Sequence, residues 1–276
     1  MRKLTVVLLF AFVGLQSLAA QDRPDMRPEI KQQVRELVDE ARASRAATST
    51  LGKTESVMAP ITGVGEPDSF GKNAKFMGTA TAGFILIDAT CSPADIGTLG
   101  PDDRCIMAGD PLLVTPGITF NDIGRITIPA RALDNVLYAI ANHNVFVNFQ
   151  SASPGQARFS YSPQVTIESE ALLDPNLIDP SKTPPAPYNG SFTTGGMGSL
   201  ALSKFLDNPS PEFQTASYSR ANTNGFSRTF FTALGLPNNV IDQIYKKPIT
   251  VKLNVRVSGR FVRDGVITYS IRFLGN

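Results

Sequence analysis

Residues 249–273 read ITVKLNVRVSGRFVRDGVITYSIRF and carry the strongest structural signal in this 276-residue chain. Apolar residues occupy every second position of 249–257 and again of 267–273, with polar residues between them. A period of two is typical of a β-strand with one buried and one wet face. The stretch therefore predicts two consecutive amphipathic strands. The side chains expected to enter the core are those of Val251, Leu253, Val255, Val257, Tyr269, Ile271 and Phe273.

The dipeptide Asp264-Gly265 between the two runs is a hairpin signal. A two-residue turn there would set polar residues opposite apolar ones, whereas a three-residue loop at 263–265 places Val257 opposite Ile271. The longer loop also gives Gly265 the positive φ that glycine adopts without a Cβ clash. The sequence therefore predicts an antiparallel hairpin with its loop at 263–265.

Residues 1–20 have the pattern of a secretory signal peptide. Arg2 and Lys3 precede an apolar run over 4–15 that is too short to span a bilayer, and small residues at 17–20 suit cleavage. We therefore expect a secreted or periplasmic protein. No later run approaches the roughly 20 apolar residues of a membrane helix, so no transmembrane helix is expected after the signal is removed.

The charge balance argues against a nucleic-acid partner. The chain has 26 basic and 24 acidic residues, and removal of Arg2 and Lys3 with the signal leaves equal numbers. Nucleic-acid binding depends on a surplus of Lys and Arg that neutralises phosphates. The exported protein is therefore not expected to bind nucleic acid.

Cys91 and Cys105 are the only two cysteines. In an exported protein, two cysteines within one loop-like segment are typical of a structural disulfide. A zinc site needs a larger cluster of Cys, His or acidic ligands, and the chain has a single histidine, His143. We therefore expect one disulfide, no metal site and no cofactor.

Residues 21–54 differ from the rest of the chain. Apolar residues recur at helical spacing over 28–46 among alternating charges, which predicts an amphipathic helix followed by a small, polar linker. This helix could pack on the main domain or dock on another envelope protein. From residue 55 onward, short apolar runs between turn residues are typical of β structure, so 55–276 is expected to form one domain.

The β-rich domain contains a helical insertion at 226–247. Ser227 is suited to cap a first helix that ends at Gly235, and Pro237 to begin a second helix that stops before Pro248. The predicted fold is mainly β, an antiparallel sandwich or jelly roll with an N-terminal amphipathic helix and this small insertion. A β-barrel is the alternative, although 20 prolines and the lack of tryptophan count against it.

Three residues are candidates for catalysis. His143 is the only imidazole, and Asn142-His143-Asn144 is interpreted as a polar turn between two apolar runs. Glu168 and Glu170 stand two residues apart on a predicted strand and would share one face. A glycosidase uses two carboxyl groups roughly 5–10 Å apart, but solvated strands often show the same spacing. We expect His143 to be dispensable for any activity.

The C-terminal segment is basic. Lys252, Arg256 and Arg272 lie opposite the apolar face of the predicted hairpin, where they would form one positive sheet surface. Such a surface could bind an acidic envelope glycan, or it could be a solvated face that prevents edge pairing.

Sugar binding usually relies on aromatic stacking, and this chain has no tryptophan. Tyr161, Tyr188 and Tyr218 could supply such a surface. The features together favour an exported, non-catalytic protein, structural or ligand-binding, of the cell envelope or the extracellular space. The alternative is a secreted carboxylate-dependent hydrolase resembling a glycosidase.

Overall fold

Most of the part of the chain that the structure describes lies in β-strands, where buried and exposed side chains alternate. That part, in the computed structural model, is Glu36 with residues 74–108, 115–195, 197–207 and 212–276. In chain order the strands are β1 (Lys75–Thr81), β2 (Ile85–Asp88), β3 (Arg104–Met107), β4 (Thr115–Phe120), β5 (Arg125–Ile128), β6 (Val136–Phe149), β7 (Gly155–Glu168), β8 (Ile178–Asp179), β9 (Ala186–Pro187), β10 (Ser191–Thr194), β11 (Leu200–Leu206), β12 (Glu212–Ser227), β13 (Ile249–Arg260) and β14 (Val262–Gly275). Helices among the described residues are α1 (Pro93–Ile96), α2 (Arg228–Ala233) and α3 (Asn238–Lys246), with a 3-10 helix at Glu170–Leu172.

Within the described residues, the strands form two six-stranded sheets and a separate β8–β9 pair. The first sheet has the order β12-β6-β14-β2-β3, with β1 also paired to β14. The second sheet has the order β10-β7-β13-β4, with β11 on β7 and β5 on β13. Buried apolar side chains from both sheets form one cluster between them. The predicted mainly β, sandwich-like fold is therefore confirmed.

The predicted hairpin between β13 and β14 is wrong. β13 pairs with β7, β4 and β5 in the second sheet, whereas β14 pairs with β6, β1 and β2 in the first. Phe261, with φ of 59°, lies between the two strands where the chain passes from one sheet to the other. Asp264 and Gly265 belong to β14 and make no turn.

The predicted pairing of Val257 with Ile271 fails for the same reason. Val257 lies opposite Tyr161 of β7, and Ile271 lies opposite Ala141 of β6. Each strand presents its apolar side chains to the core from its own sheet. Alternation alone cannot distinguish this arrangement from a hairpin, because both give two consecutive strands with one buried face.

The predicted direction of the side chains is confirmed. Val251, Leu253, Val255, Val257, Tyr269, Ile271 and Phe273 are each at most 3% exposed. Hydrogen bonds from Gly83 N to Ile123 O (2.7 Å) and from Ile123 N to Leu253 O (2.9 Å) also join the two sheets along one edge. β13 and β14, the two strands predicted from the sequence, each lie in the interior of a sheet.

Helices α2 and α3 fall inside the predicted insertion at 226–247 and cover one end of the core. The Ser227 hydroxyl accepts a hydrogen bond from Phe230 N (3.2 Å), which caps α2 as its sequence predicts. The Tyr245 hydroxyl of α3 donates to the carbonyl of Phe226 (2.8 Å), so its buried ring has a polar partner. Edge-to-face contacts join the rings of Phe192, Phe226, Phe230, Phe231 and Tyr245.

The N-terminal predictions lie outside the described residues. Neither the signal peptide at 1–20 nor the linker is described, and of the helix predicted at 28–46 only Glu36 is. In the part that is described, no helix has the length and apolar character needed to cross a membrane.

The predicted disulfide between Cys91 and Cys105 is present. The segment that it closes contains α1 and packs Ile96 and Leu99 onto a second apolar cluster formed by Phe84, Leu86 and Val266. This cluster is separate from the main core, so the disulfide stabilises a cover over the outer side of the first sheet.

Removing the disulfide by Cys91→Ser with Cys105→Ser is expected to lower the free energy of unfolding by about 3 kcal/mol, because a loop of this size gains chain entropy when it is opened. Urea denaturation of both proteins checks this value. With a reductant present, the variant and the wild type should unfold alike, and an equal stability without reductant would contradict the prediction.

Candidate functional site

His143 belongs to the core, and its predicted turn is wrong. Asn142-His143-Asn144 lies within the 14-residue strand β6. His143 is 1% exposed, and its Nδ1 lies 2.8 Å from the Tyr161 hydroxyl. Its ring stacks on Tyr269 at a centroid distance of 5.8 Å. The imidazole is therefore enclosed between the two sheets, where it links them.

Glu168 and Glu170 do not share a strand face. Glu168 ends β7, whereas Glu170 begins the 3-10 helix and is exposed. The Nζ of Lys252 donates to Glu168 (2.6 Å), and the Nζ of Lys247 donates to Glu170 (3.2 Å). Each carboxylate therefore has its own lysine partner, and the predicted strand pair does not exist.

The three predicted binding residues do not form one surface. Lys252 and Arg256 lie on the outer face of the second sheet, because they alternate with the buried residues of β13. Arg272 alternates with the buried residues of β14, which places it on the outer face of the first sheet. The sandwich core separates the two faces, so the basic hairpin surface is split between opposite sides of the molecule.

On one half of the outer face of the second sheet, the charged side chains form ion pairs with one another. Lys252 Nζ contacts Glu168 at 2.6 Å and lies 3.7 Å from Asp122, which also binds Arg125 at 2.6 Å. The Asn254 side chain accepts a hydrogen bond from Asp122 N (2.8 Å). Opposite charges are matched here, so this half offers little free charge to a partner.

The other half of the same face is basic. Arg158 and Arg260 lie directly opposite each other on β7 and β13, and Arg256 follows on β13, opposite Ser162. All three arginines are exposed. We call Arg158, Arg256 and Arg260 the arginine cluster. Within the described part of the chain, none of the three forms an ion pair with a carboxylate.

Two members of the arginine cluster lie against neighbouring groups. The guanidinium of Arg260 lies over the ring of Phe261, 4.7 Å from its centroid. The guanidinium of Arg256 lies over Gly117 of β4, where a Cβ at position 117 would be 2.6 Å from Arg256 Nε. The contact with Phe261 therefore partly positions the Arg260 guanidinium before any ligand arrives.

Phe205 is an exposed aromatic side chain beside the arginine cluster. It lies opposite Gln156 on β11, two residues beyond Ser203, which lies opposite Arg158. Its side chain is 57% exposed. Residues at this spacing on neighbouring strands share a face, so the ring and the arginines occupy one surface.

The tyrosines proposed for sugar stacking are not available on this surface. Tyr161 is fully buried, and Tyr188 is 2% exposed with its hydroxyl donating to the Leu234 carbonyl (2.9 Å). The side chain of Tyr218 lies outside the described part of the structure. The exposed aromatic side chain beside the arginine cluster is instead Phe205, which the sequence analysis did not single out.

Asp264 is a buried carboxyl group away from this surface. It is 3% exposed, and its Oδ2 accepts a hydrogen bond from Asn148 Nδ2 (3.0 Å). Burial raises the pKa of Asp264 to about 6, while the Asn148 hydrogen bond and the Arg263 guanidinium act in the opposite direction. Asp264 is enclosed within the first sheet, away from the outer face of the second sheet.

A gap at one end of the core is lined by apolar groups with one serine, and its lining residues are Ile87, Ile106, Ala108, Phe159, Val257, Ser258, Gly259 and Val262. No group of three or more His, Cys, Asp or Glu side chains among the described residues could hold a metal ion. The outer face of the second sheet, which carries the exposed arginine cluster and Phe205, is the candidate site.

Sequence reasoning missed Arg158, Arg260 and Phe205. Arg158 and Arg260 alternate with buried residues of β7 and β13, so their outward direction could have been predicted. Their proximity could not, because it depends on the register between strands that are about 100 residues apart in the chain.

Comparison of the chain with protein-family models, with curated proteins and with solved structures found no match.

Proposed function

We propose that this chain is an exported, non-catalytic protein that binds a ligand at the cell envelope or in the extracellular space. The observation that carries the proposal is the state of the candidate carboxylates. Glu168 and Glu170 are each held by a lysine on an open surface, whereas catalytic carboxyl groups flank a substrate in a site that positions it.

Two features support export, one in the sequence and one in the structure. The pattern at 1–20 is that of a secretory signal. The chain's two cysteines are joined in one disulfide, and disulfides persist in oxidising compartments. A secreted or periplasmic location agrees with both features.

Cell fractionation of the producing organism tests the export half of the proposal. The full chain, carrying a C-terminal tag, is expected in the periplasmic or extracellular fraction, with the signal removed. Mass spectrometry of the purified protein should locate the new N-terminus at or near residue 20 or 21. A cytoplasmic protein with residues 1–20 intact would contradict export.

Incubation with polysaccharides tests the proposal that the protein is not catalytic. The purified mature protein is expected to release no new reducing ends from neutral or acidic polysaccharides. Glu168→Gln is the diagnostic variant, because it keeps the shape of the side chain and removes its charge. If the wild type cleaved a polysaccharide and this variant did not, with an unchanged circular dichroism spectrum, the hydrolase alternative would replace the proposal.

A further inference from the structure

We propose that the arginine cluster and Phe205 form a binding surface for an extended acidic polysaccharide. This inference rests on the proposed function and names the class of ligand. Arg158 and Arg260 are a directly opposed pair of like charges, which destabilises a sheet unless an anion lies between them. The ion pairs on the rest of this face lie around Lys252, and none of those among the described residues includes one of the three arginines.

The positive charges are spread along β13. Arg256 and Arg260 are four residues apart on one face of β13, about 13 Å at the rise of a strand. Ser160 and Ser258 form the cross-strand pair between them, and Ser160 is exposed on the same face. One anionic group would lie at the Arg158–Arg260 pair and another at Arg256. A polymer with repeated anionic groups fits this row better than a single small anion does.

The shape and chemistry of the surface around the arginines also suit a sugar polymer. The row lies on a sheet face, so its ligand must be extended. Phe205 offers a flat apolar ring against which a sugar can pack. Guanidinium groups bind carboxylate, sulfate and phosphate through paired hydrogen bonds. The serine hydroxyls can bond to the hydroxyls of a sugar. Together these groups match an acidic polysaccharide.

Binding of fluorescently labelled polysaccharides to the mature protein tests the inference. The probes are dextran sulfate, which is sulfated, and polygalacturonate, which is carboxylated, each measured by fluorescence anisotropy at several salt concentrations. Arg158→Gln with Arg260→Gln is expected to weaken binding by about tenfold or more and to reduce its salt dependence. Phe205→Ser is expected to weaken binding at a given salt concentration without changing the salt dependence.

The matched control is Arg272→Gln with Lys75→Gln, which removes the same charge from the first sheet. We expect this variant to bind like the wild type. The arginine double variant should melt no lower than the wild type, because it removes a like-charge pair. Equal losses in both double variants would overturn the inference, since binding would then follow net charge alone.

Two other outcomes would also overturn the inference. One is the absence of binding to both polysaccharides at low salt. The other is binding to vesicles of anionic phospholipid with neither polysaccharide bound, which would assign the arginines to a lipid surface. In either case an exported protein without hydrolase activity would leave the proposed function intact, whereas cleavage of a probe would contradict the proposed function itself.

Discussion

Replacing Leu253 by alanine is expected to lower the free energy of unfolding by about 2–5 kcal/mol, the usual cost of a fully buried leucine. Leu253 is completely enclosed between the sheets. Its backbone also bonds to the β4–β5 connection, through Leu253 N to Gly124 O (2.7 Å) and Ile123 N to Leu253 O (2.9 Å). These bonds restrain the strand, so the surrounding structure cannot collapse into the cavity that the substitution leaves.

Lys252→Ala is the matched control, because it changes the neighbouring residue on the opposite face. Lys252 contacts Glu168 and Asp122, but it is partly exposed, and ion pairs of this kind contribute about 1 kcal/mol or less. Urea denaturation of the wild type and the two variants gives the comparison. If the lysine variant were as unstable as the leucine variant, the assignment of Leu253 to the core would be wrong.

Replacing Asp264 by asparagine is expected to stabilise the protein at neutral pH. Burial raises the pKa of Asp264 to about 6, whereas the unfolded chain ionises near 3.9. At pH 7 the folded protein therefore holds a buried charge at a cost of up to about 3 kcal/mol. Asparagine carries no charge, and its amide can donate to the buried Oδ1 of Asn148, which has no hydrogen-bond partner among the described residues.

The sign of the pH dependence follows from the raised pKa. Below about pH 4 the carboxyl group is protonated in both states, and its contribution to stability is fully present. As the pH rises to about 6 and beyond, the unfolded chain is already ionised and the folded protein resists ionisation, so stability is lost. The wild type should therefore lose stability between pH 4 and 7, and Asp264→Asn should remove this part of the loss.

Thermal unfolding at pH 4, 5, 6, 7 and 8 measures the effect. The variant should be more stable than the wild type at pH 7 and 8, and the two should be close to each other at pH 4. Asp134→Asn, at an exposed aspartate, is the control and should follow the wild type. A variant less stable than the wild type at pH 8 would show that the contact with Arg263 (3.5 Å) outweighs burial of the charge.

The local features of the fold were predictable because their causes are local. Ser227 caps α2 through the adjacent turn, and the 226–247 segment forms two helices as its sequence indicates. Cys91 and Cys105 are close in the chain, and they pair. The same reasoning failed at His143, since its polar neighbours suggest a turn. In the fold, Nδ1 of the buried imidazole instead bonds to the Tyr161 hydroxyl, from a strand of the other sheet.

The sequence by itself determined which faces of β13 and β14 are buried, because alternate residues of any strand point to opposite sides whatever the strand pairs with. It did not determine the partners of these strands. That choice depends on β7, which lies beside β13 in the second sheet, and on β6, which lies beside β14 in the first. The same choice separates Arg272 from Arg256 and brings Arg158 opposite Arg260. The candidate surface thus arises from long-range register, and no spacing within one strand encodes it.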